Sequence, residues 1–261
     1  MSSRSDHGIR IPNAGAKIRR ARPREATSLP DGLPHYELKR DLRPDPDMPT
    51  LWHHATSVDS NFVPVLAESS PPPFDPINPE DLLGKPGPIE IEIGCGKGRF
   101  LSEYAQLHPE KPILAIEWTR PIAWYAADKL ARRPELKHAK VLWGDAPYFL
   151  RDRMPAGSVS AFHIYFPDPW PKEKAKKRRV LQTSLLLQMR RLAVEGCKFY
   201  WGTDYEEYDQ YARELLGSTD GIRLIDGAAP PTDGIMTSFE HKYVKEGRPI
   251  YRSVWEVVPQ R

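Results

Sequence analysis

The chain is poor in cysteine, has no long apolar run and carries almost no excess of charge. Each shortage removes a class of protein. Among 261 residues only Cys95 and Cys197 are cysteines. They stand far apart and in no pair with metal-ligand spacing, so neither a disulfide framework nor a metal site is expected. No segment is long and apolar enough to cross a bilayer, and the N-terminus shows no apolar core like that of a signal peptide. The expectation is a cytoplasmic protein with no membrane partner. Basic residues number 38 and acidic residues 35, a net charge of +3. Bulk charge therefore says little about nucleic acid, and its local distribution has to carry that argument.

Proline is abundant instead, and unevenly spread. More than half of the 28 prolines fall before residue 89, in segments such as Pro71-Pro72-Pro73 and Pro76-Ile77-Asn78-Pro79. Proline fixes φ and donates no backbone hydrogen bond, so this stretch cannot supply long helices or central strands. Residues 1–88 read as a flexible, partly basic extension, a tail or a strap over a domain formed by residues 89–261. Lys17, Arg19, Arg20, Arg22 and Arg24 form a basic arm within it, either solvated or in contact with phosphates. His53-His54 has no third ligand at suggestive spacing and receives no role.

From residue 89 short apolar runs alternate with helical stretches, the pattern of an α/β domain with a mainly parallel sheet. Strands are expected at Ile89 to Ile93, Ile113 to Ile116, Lys140 to Trp143, Ser160 to Tyr165 and Lys198 to Gly202. Helices are expected from about Arg99 to His108, Pro121 to Arg132, Val180 to Ala193 and Tyr205 to Leu216. Ile222 to Ile225 and Tyr251 to Val257 supply two closing strands joined by a long connection. Ligands of such sheets collect beyond the carboxyl ends of the strands.

Glu92-Ile93-Gly94-Cys95-Gly96-Lys97-Gly98 joins the first strand to the first helix of this domain. Glycine there permits a tight turn and close approach of a ligand to the backbone. The spacing differs from the G-x-G-x-x-G of dinucleotide binders, which favours a ligand without a pyrophosphate. Glu117 ends the second strand, where an acid accepts hydrogen bonds from ribose hydroxyls. Asp145 follows the third strand, placed either beside an adenine ring or as a helix cap.

Phe166-Pro167-Asp168-Pro169-Trp170-Pro171-Lys172 follows the fourth strand and leads into Lys174, Lys176, Lys177, Arg178 and Arg179. Phe166, Asp168 and Trp170 each precede proline, which pushes all three out of the helical region and predicts a stiff, extended loop. A carboxylate and an indole beside clustered cations suit an aromatic group attached to a polyanion. Trp170 serves either to stack on a base or to brace the loop.

With Ile116-Glu117, Gly144-Asp145-Ala146, Lys177-Arg178-Arg179, Gly202-Thr203-Asp204-Tyr205 and Thr237-Ser238-Phe239-Glu240, these motifs resemble the bacterial tRNA (guanine-N7)-methyltransferases over residues 89 to about 257. The resemblance implies a Rossmann-like class I methyltransferase fold: α/β, doubly wound, with a mainly parallel seven-stranded sheet whose last strand is antiparallel. It implies S-adenosylmethionine as methyl donor and tRNA as partner, with a variable-loop guanosine as target and the protein a monomer or homodimer. By the same resemblance Glu92, Gly94, Gly96, Gly98, Glu117, Asp145 and Asp168 form the cofactor site. Lys172, Asp204, Thr237, Ser238, Phe239 and Glu240 would contact substrate. Ser238 stands where the family usually has lysine, so the contact of that lysine has to come from elsewhere, such as His241, Lys242 or Lys245.

Guanine N7 already carries a lone pair, so its methylation needs alignment rather than a general base. Asp168 is the candidate catalytic residue, favouring the positive charge that moves onto the purine. Asp204 or Glu240 suits the N1 and N2 donors of guanine, while Asp204-x-x-Glu207 also has the form of a helix capping box. Lys172 and the run to Arg179 are expected to contact phosphates. Competing readings are a methyltransferase for a small molecule or protein, and a non-catalytic RNA-binding module.

Overall fold

The computed structural model describes residues 76–228 and 234–260. The basic arm, His53-His54 and the proline segments before residue 76 lie outside the described residues. In chain order the elements are α1 (Pro79–Leu83), β1 (Ile89–Ile93), α2 (Arg99–Leu107), β2 (Ile113–Glu117), α3 (Arg120–Ala131), β3 (Ala139–Trp143) and α4 (Ala146–Arg153). There follow β4 (Val159–Tyr165), α5 (Thr183–Leu192), β5 (Ala193–Thr203), α6 (Glu206–Ser218), β6 (Ile222–Leu224), α7 (Ser238–Lys245) and β7 (Tyr251–Val257).

The seven strands form one sheet in the order β3-β2-β1-β4-β5-β7-β6. Pairing is parallel from β3 to β5, and β7 runs antiparallel to both β5 and β6. This is the doubly wound architecture expected from the alternating pattern. Every residue of β1, β2 and β3 is buried, as befits parallel strands covered on both faces. Alternate residues feed two cores. Ile91, Ile93, Phe162, Ile164 and Trp201 pack with α4, α5 and α6 on one face, while Ala115, Val141, Tyr165 and Tyr200 pack with α2 and α3 on the other. Among the described residues no helix is long and apolar enough to cross a membrane.

The last residues assigned to the extension are folded against the domain. Asn78 caps α1 by accepting from the Glu80 amide at 3.0 Å, Gly84 closes it at φ 66°, and Leu83 is buried in the α4–α6 core. Ile77 also donates its amide to the Arg153 carbonyl at 2.9 Å. Three further differences have local causes. Helix α4 was absent from the periodicity reading because it is short and carries a proline in its first turn; Asp145 starts it. The expected long connection before β7 contains α7, nucleated by Thr237. Strand β5 begins at Ala193, directly after α5, so the helix stops earlier and the strand starts earlier than the apolar pattern suggested.

One polar cluster sits inside the α2 face. His163 Nε2 lies 2.8 Å from the Glu90 carboxylate, and His163 Nδ1 lies 3.1 Å from the Tyr165 hydroxyl. Lys111 Nζ stands 3.4 Å from Glu90 and donates to the Tyr104 hydroxyl at 2.9 Å. Burial opposes ionisation of Glu90, yet the His163 bond and the Lys111 charge outweigh it and hold the carboxyl near pKa 2. The cluster fixes Tyr165, the residue that hands the chain to the proline loop.

Candidate active site

The β1–α2 turn is built on three positive φ angles, 81° at Gly94, 53° at Gly96 and 65° at Gly98. A Cβ added at Gly94 or Gly96 would meet nothing within 4 Å, whereas one at Gly98 would lie 3.0 Å from the Ala126 Cβ. The first two glycines thus leave an open floor, and the third lets α2 close on α3. Glu117 braces the turn, accepting from the Gly96 amide at 3.0 Å and the Thr119 amide at 2.8 Å. Glu92 is only 2% exposed, and its Oε2 has no hydrogen-bond partner among the described residues. Burial, reinforced by the charge of Glu117, pushes its pKa to about 8. A buried orphan carboxylate oxygen beside an open glycine floor is a site shaped for a cationic, hydrogen-bonding ligand.

Asp145 takes the helix-cap role: its carboxylate accepts from the Tyr148 amide at 3.3 Å, and burial raises its pKa. Next to it Trp143 Nε1 donates to the Trp118 carbonyl at 3.0 Å. That bond ties the end of β3 to the end of β2, so Glu92, Glu117 and Asp145 stand on three neighbouring strand ends.

The proline loop departs from the extended form expected of it. Phe166 has φ 51° and Trp170 φ 42°, a left-handed geometry costly for bulky residues. Proline at the next position disfavours right-handed α, and the loop turns through the left-handed region instead. Two anchors hold it. The Phe166 amide donates to the Gly202 carbonyl at 2.7 Å. Arg179 donates through Nε to the Pro169 carbonyl at 2.9 Å and through Nη2 to Glu207 at 2.8 Å, with its guanidinium over Tyr208 and Tyr211.

The Arg179 side chain is 0% exposed, so it braces the loop from inside and cannot reach a phosphate as the basic run had suggested. Glu207 is spent on Arg179 and Lys176, and the capping box with Asp204 does not form; the N-cap of α6 is Tyr205. Asp204 pairs instead with Arg248 at 2.9 Å. Trp170 has Arg178 over its ring at 5.1 Å. Lys172, Lys174, Lys177 and Arg178 are exposed. Asp168 is exposed at the loop, while the protein packed on one side raises its pKa by desolvation. Burial raises the Glu117 pKa, and the Asp168 charge adds a smaller push in the same direction.

Helix α7 faces this loop. Thr237 Oγ1 accepts from the Glu240 amide at 3.0 Å and so caps the helix. Ser238 is exposed, Phe239 is 50% exposed, and Glu240 is buried in an ion pair with Arg252 of β7. Tyr243 lies 5.7 Å from Phe166 and 6.0 Å from Phe239 between ring centroids. Sequence reading missed Tyr243, Arg248 and Arg252, whose roles come from tertiary pairing. Only the Gly247-Arg248-Pro249 turn just before β7 offered a local signal.

Residues 86–253 match a family model described as "Putative methyltransferase". The tRNA (guanine-N(7)-)-methyltransferase of Rhodopirellula baltica is 37% identical over 186 residues, covering 67% of this chain and 68% of its own. That of Hydrogenovibrio crunogenus is 34% identical over 184 residues, covering 69% and 75%, and that of Saccharophagus degradans 31% identical over 193 residues, covering 72% and 82%. The chain belongs to this family. The matched span of the methyltransferase model runs from just before β1 into β7, so it contains the glycine turn, all three acidic strand ends, the proline loop and α7.

Proposed function

We propose that this protein transfers the methyl group of S-adenosylmethionine to N7 of a guanosine in tRNA, with the variable loop as the expected location. The observation that carries this reading is the Glu92 oxygen left without a partner among the described residues at the strand end that opens into the Gly94–Gly96 turn, together with a strained loop that presents Asp168. These residues fit the cofactor. S-adenosylmethionine supplies a methyl group made electrophilic by its sulfonium sulfur. Glu92 would receive a cationic or N–H donor group of the cofactor. Glu117 accepts two backbone amides and retains lone pairs for ribose hydroxyls. Asp145 holds the α4 end of the site as a cap and flanks the adenine position.

The protein's part in the chemistry is alignment, because N7 needs no base to become a nucleophile. Asp168, held by a loop that Arg179 locks from behind, orients the purine and favours the positive charge it acquires. Asp204 is the acceptor for guanine N1 and N2, exchanging its exposed pair with Arg248 for the base. Glu240, buried against Arg252, secures α7 to β7, and Thr237 holds the start of that helix. Lys172, with Lys174, Lys177 and Arg178, meets phosphates. Nucleoside mass spectrometry on tRNA incubated with the full chain and S-adenosylmethionine is expected to show 7-methylguanosine at one position. Methyl transfer to a protein or small molecule, with tRNA left unmodified, would defeat the proposal.

A further inference from the structure

We infer that Glu90 is a positioning residue for the cofactor site: it holds the His163 ring away from Glu92 and so leaves Glu92 free for the methyl donor. The inference rests on the cofactor reading above and extends it to a residue that touches no ligand. Parallel strands covered on both faces are ordinarily apolar throughout. β1 instead carries two carboxylates, Glu90 at 6% exposure and Glu92 at 2%. Standing two residues apart, they share one face of the sheet.

His163 stands next to both. In the parallel pairing of β1 with β4, Glu90 is in register with Ala161 and Glu92 with His163. Registered residues of neighbouring strands point to the same face, so the imidazole has one carboxylate beside it and another a step back along the same strand. The ring takes Glu90. Its Nε2 lies 2.8 Å from the Glu90 carboxylate and its Nδ1 3.1 Å from the Tyr165 hydroxyl, which occupies both nitrogens. Oε2 of Glu92 has no hydrogen-bond partner among the described residues. Packing and charge hold this choice. Tyr200 stacks on the ring at 4.9 Å and 19°, and Phe100 and Tyr104 close round it at 5.3 and 5.4 Å. Lys111 Nζ stands 3.4 Å from Glu90. Glu90 is held near pKa 2 while Glu92 is raised to about 8, so at neutral pH Glu90 is the ionised and stronger acceptor. Without Glu90 the next acceptor for Nε2 on that face is Glu92, and the methyl donor meets a carboxylate already taken.

The test measures S-adenosylmethionine binding to the full chain by calorimetry. Glu90→Met keeps the length of the side chain without an acceptor, and is expected to raise Kd about tenfold, the scale of one hydrogen bond to a charged group. Adding His163→Phe leaves a ring against Tyr200 that cannot pair with a carboxylate, and is expected to return Kd to within about twofold of wild type. Such a rescue separates positioning from general loosening of the cluster, which a second substitution would deepen. Lys111→Met, at a side chain 35% exposed, is expected to give a smaller rise that the same His163→Phe cancels, and it decides by the same criteria if Glu90→Met does not fold. An unchanged Kd in Glu90→Met overturns the inference, as does a double variant that binds no better than Glu90→Met. Wild-type protein with no affinity for S-adenosylmethionine is a separate outcome and strikes the proposed function instead.

Discussion

Glu92 is held against its own preference. Its usual pKa of 4.5 rises to about 8 through burial and the nearby Glu117 charge. Between those two values the folded protein keeps a proton that the unfolded chain gives up. Stability therefore falls as pH rises through this window and levels off above about 8. Glu92→Gln removes the titration. Thermal unfolding of the ligand-free proteins should coincide near pH 4 and diverge with rising pH, the variant becoming more stable on the order of a few kcal/mol above pH 8. The same variant should bind S-adenosylmethionine more weakly. Asp168 predicts a different signature. Asp168→Asn keeps the shape and removes the charge, so kcat should drop on the order of a hundredfold, more than cofactor affinity read by calorimetry. An unchanged kcat would remove its electrostatic role. The placement of Glu92 and Glu117 at strand ends was legible because an acid at a strand end beside a glycine turn is a local pattern. Arg179 was not, because burial of a cation depends on Glu207, Tyr208 and Tyr211, which are distant in sequence.

At the level of elements, the proline loop and α6 behave as one unit joined by Arg179. Its guanidinium holds the Pro169 carbonyl, pairs with Glu207 and covers two tyrosines. Arg179→Met keeps much of the apolar contact but leaves that carbonyl without its donor, a cost of about 1–3 kcal/mol. Urea unfolding should report this loss, and kcat should fall because the loop is freed from its left-handed angles. Arg179→Lys should not rescue, since an ammonium cannot reproduce the planar fork. Most strands and the longer helices could be read from apolar periodicity, usually to within a residue or two. Helices α4 and α7 could not. Each is short and depends on a cap, Asp145 or Thr237, and the sequence offers caps and turns in the same residue types. The loop was readable as stiff but not as left-handed, because a pre-proline position excludes one basin without choosing between the others.

For the whole molecule, a net charge of +3 hides a local concentration of cations around the mouth of the site. Lys172, Lys174, Lys177 and Arg178 are exposed after the proline loop, and Lys242, Lys245 and Arg248 are exposed on and just after α7, where Glu246 and Asp204 pair with Lys242 and Arg248. If tRNA binding neutralises about six phosphates, the logarithm of its affinity should fall against the logarithm of salt with a slope of about −5. Filter binding across a salt series measures it, and a slope near zero would mean these cations do not meet the backbone. The doubly wound class was legible because the alternation of strand and helix is a property of the whole chain. Only the antiparallel direction of β7 came from family resemblance, and its place between β5 and β6 was not read, since no local pattern says that the last strand enters between two earlier ones. That position matters during synthesis. The ribosome releases β6 before β7, yet β6 joins the sheet solely through β7. Until β7 emerges, β5 remains an unprotected edge and β6 has no strand to pair with. A nascent chain stalled just before Tyr251 is therefore the form most exposed to aggregation and most in need of a chaperone.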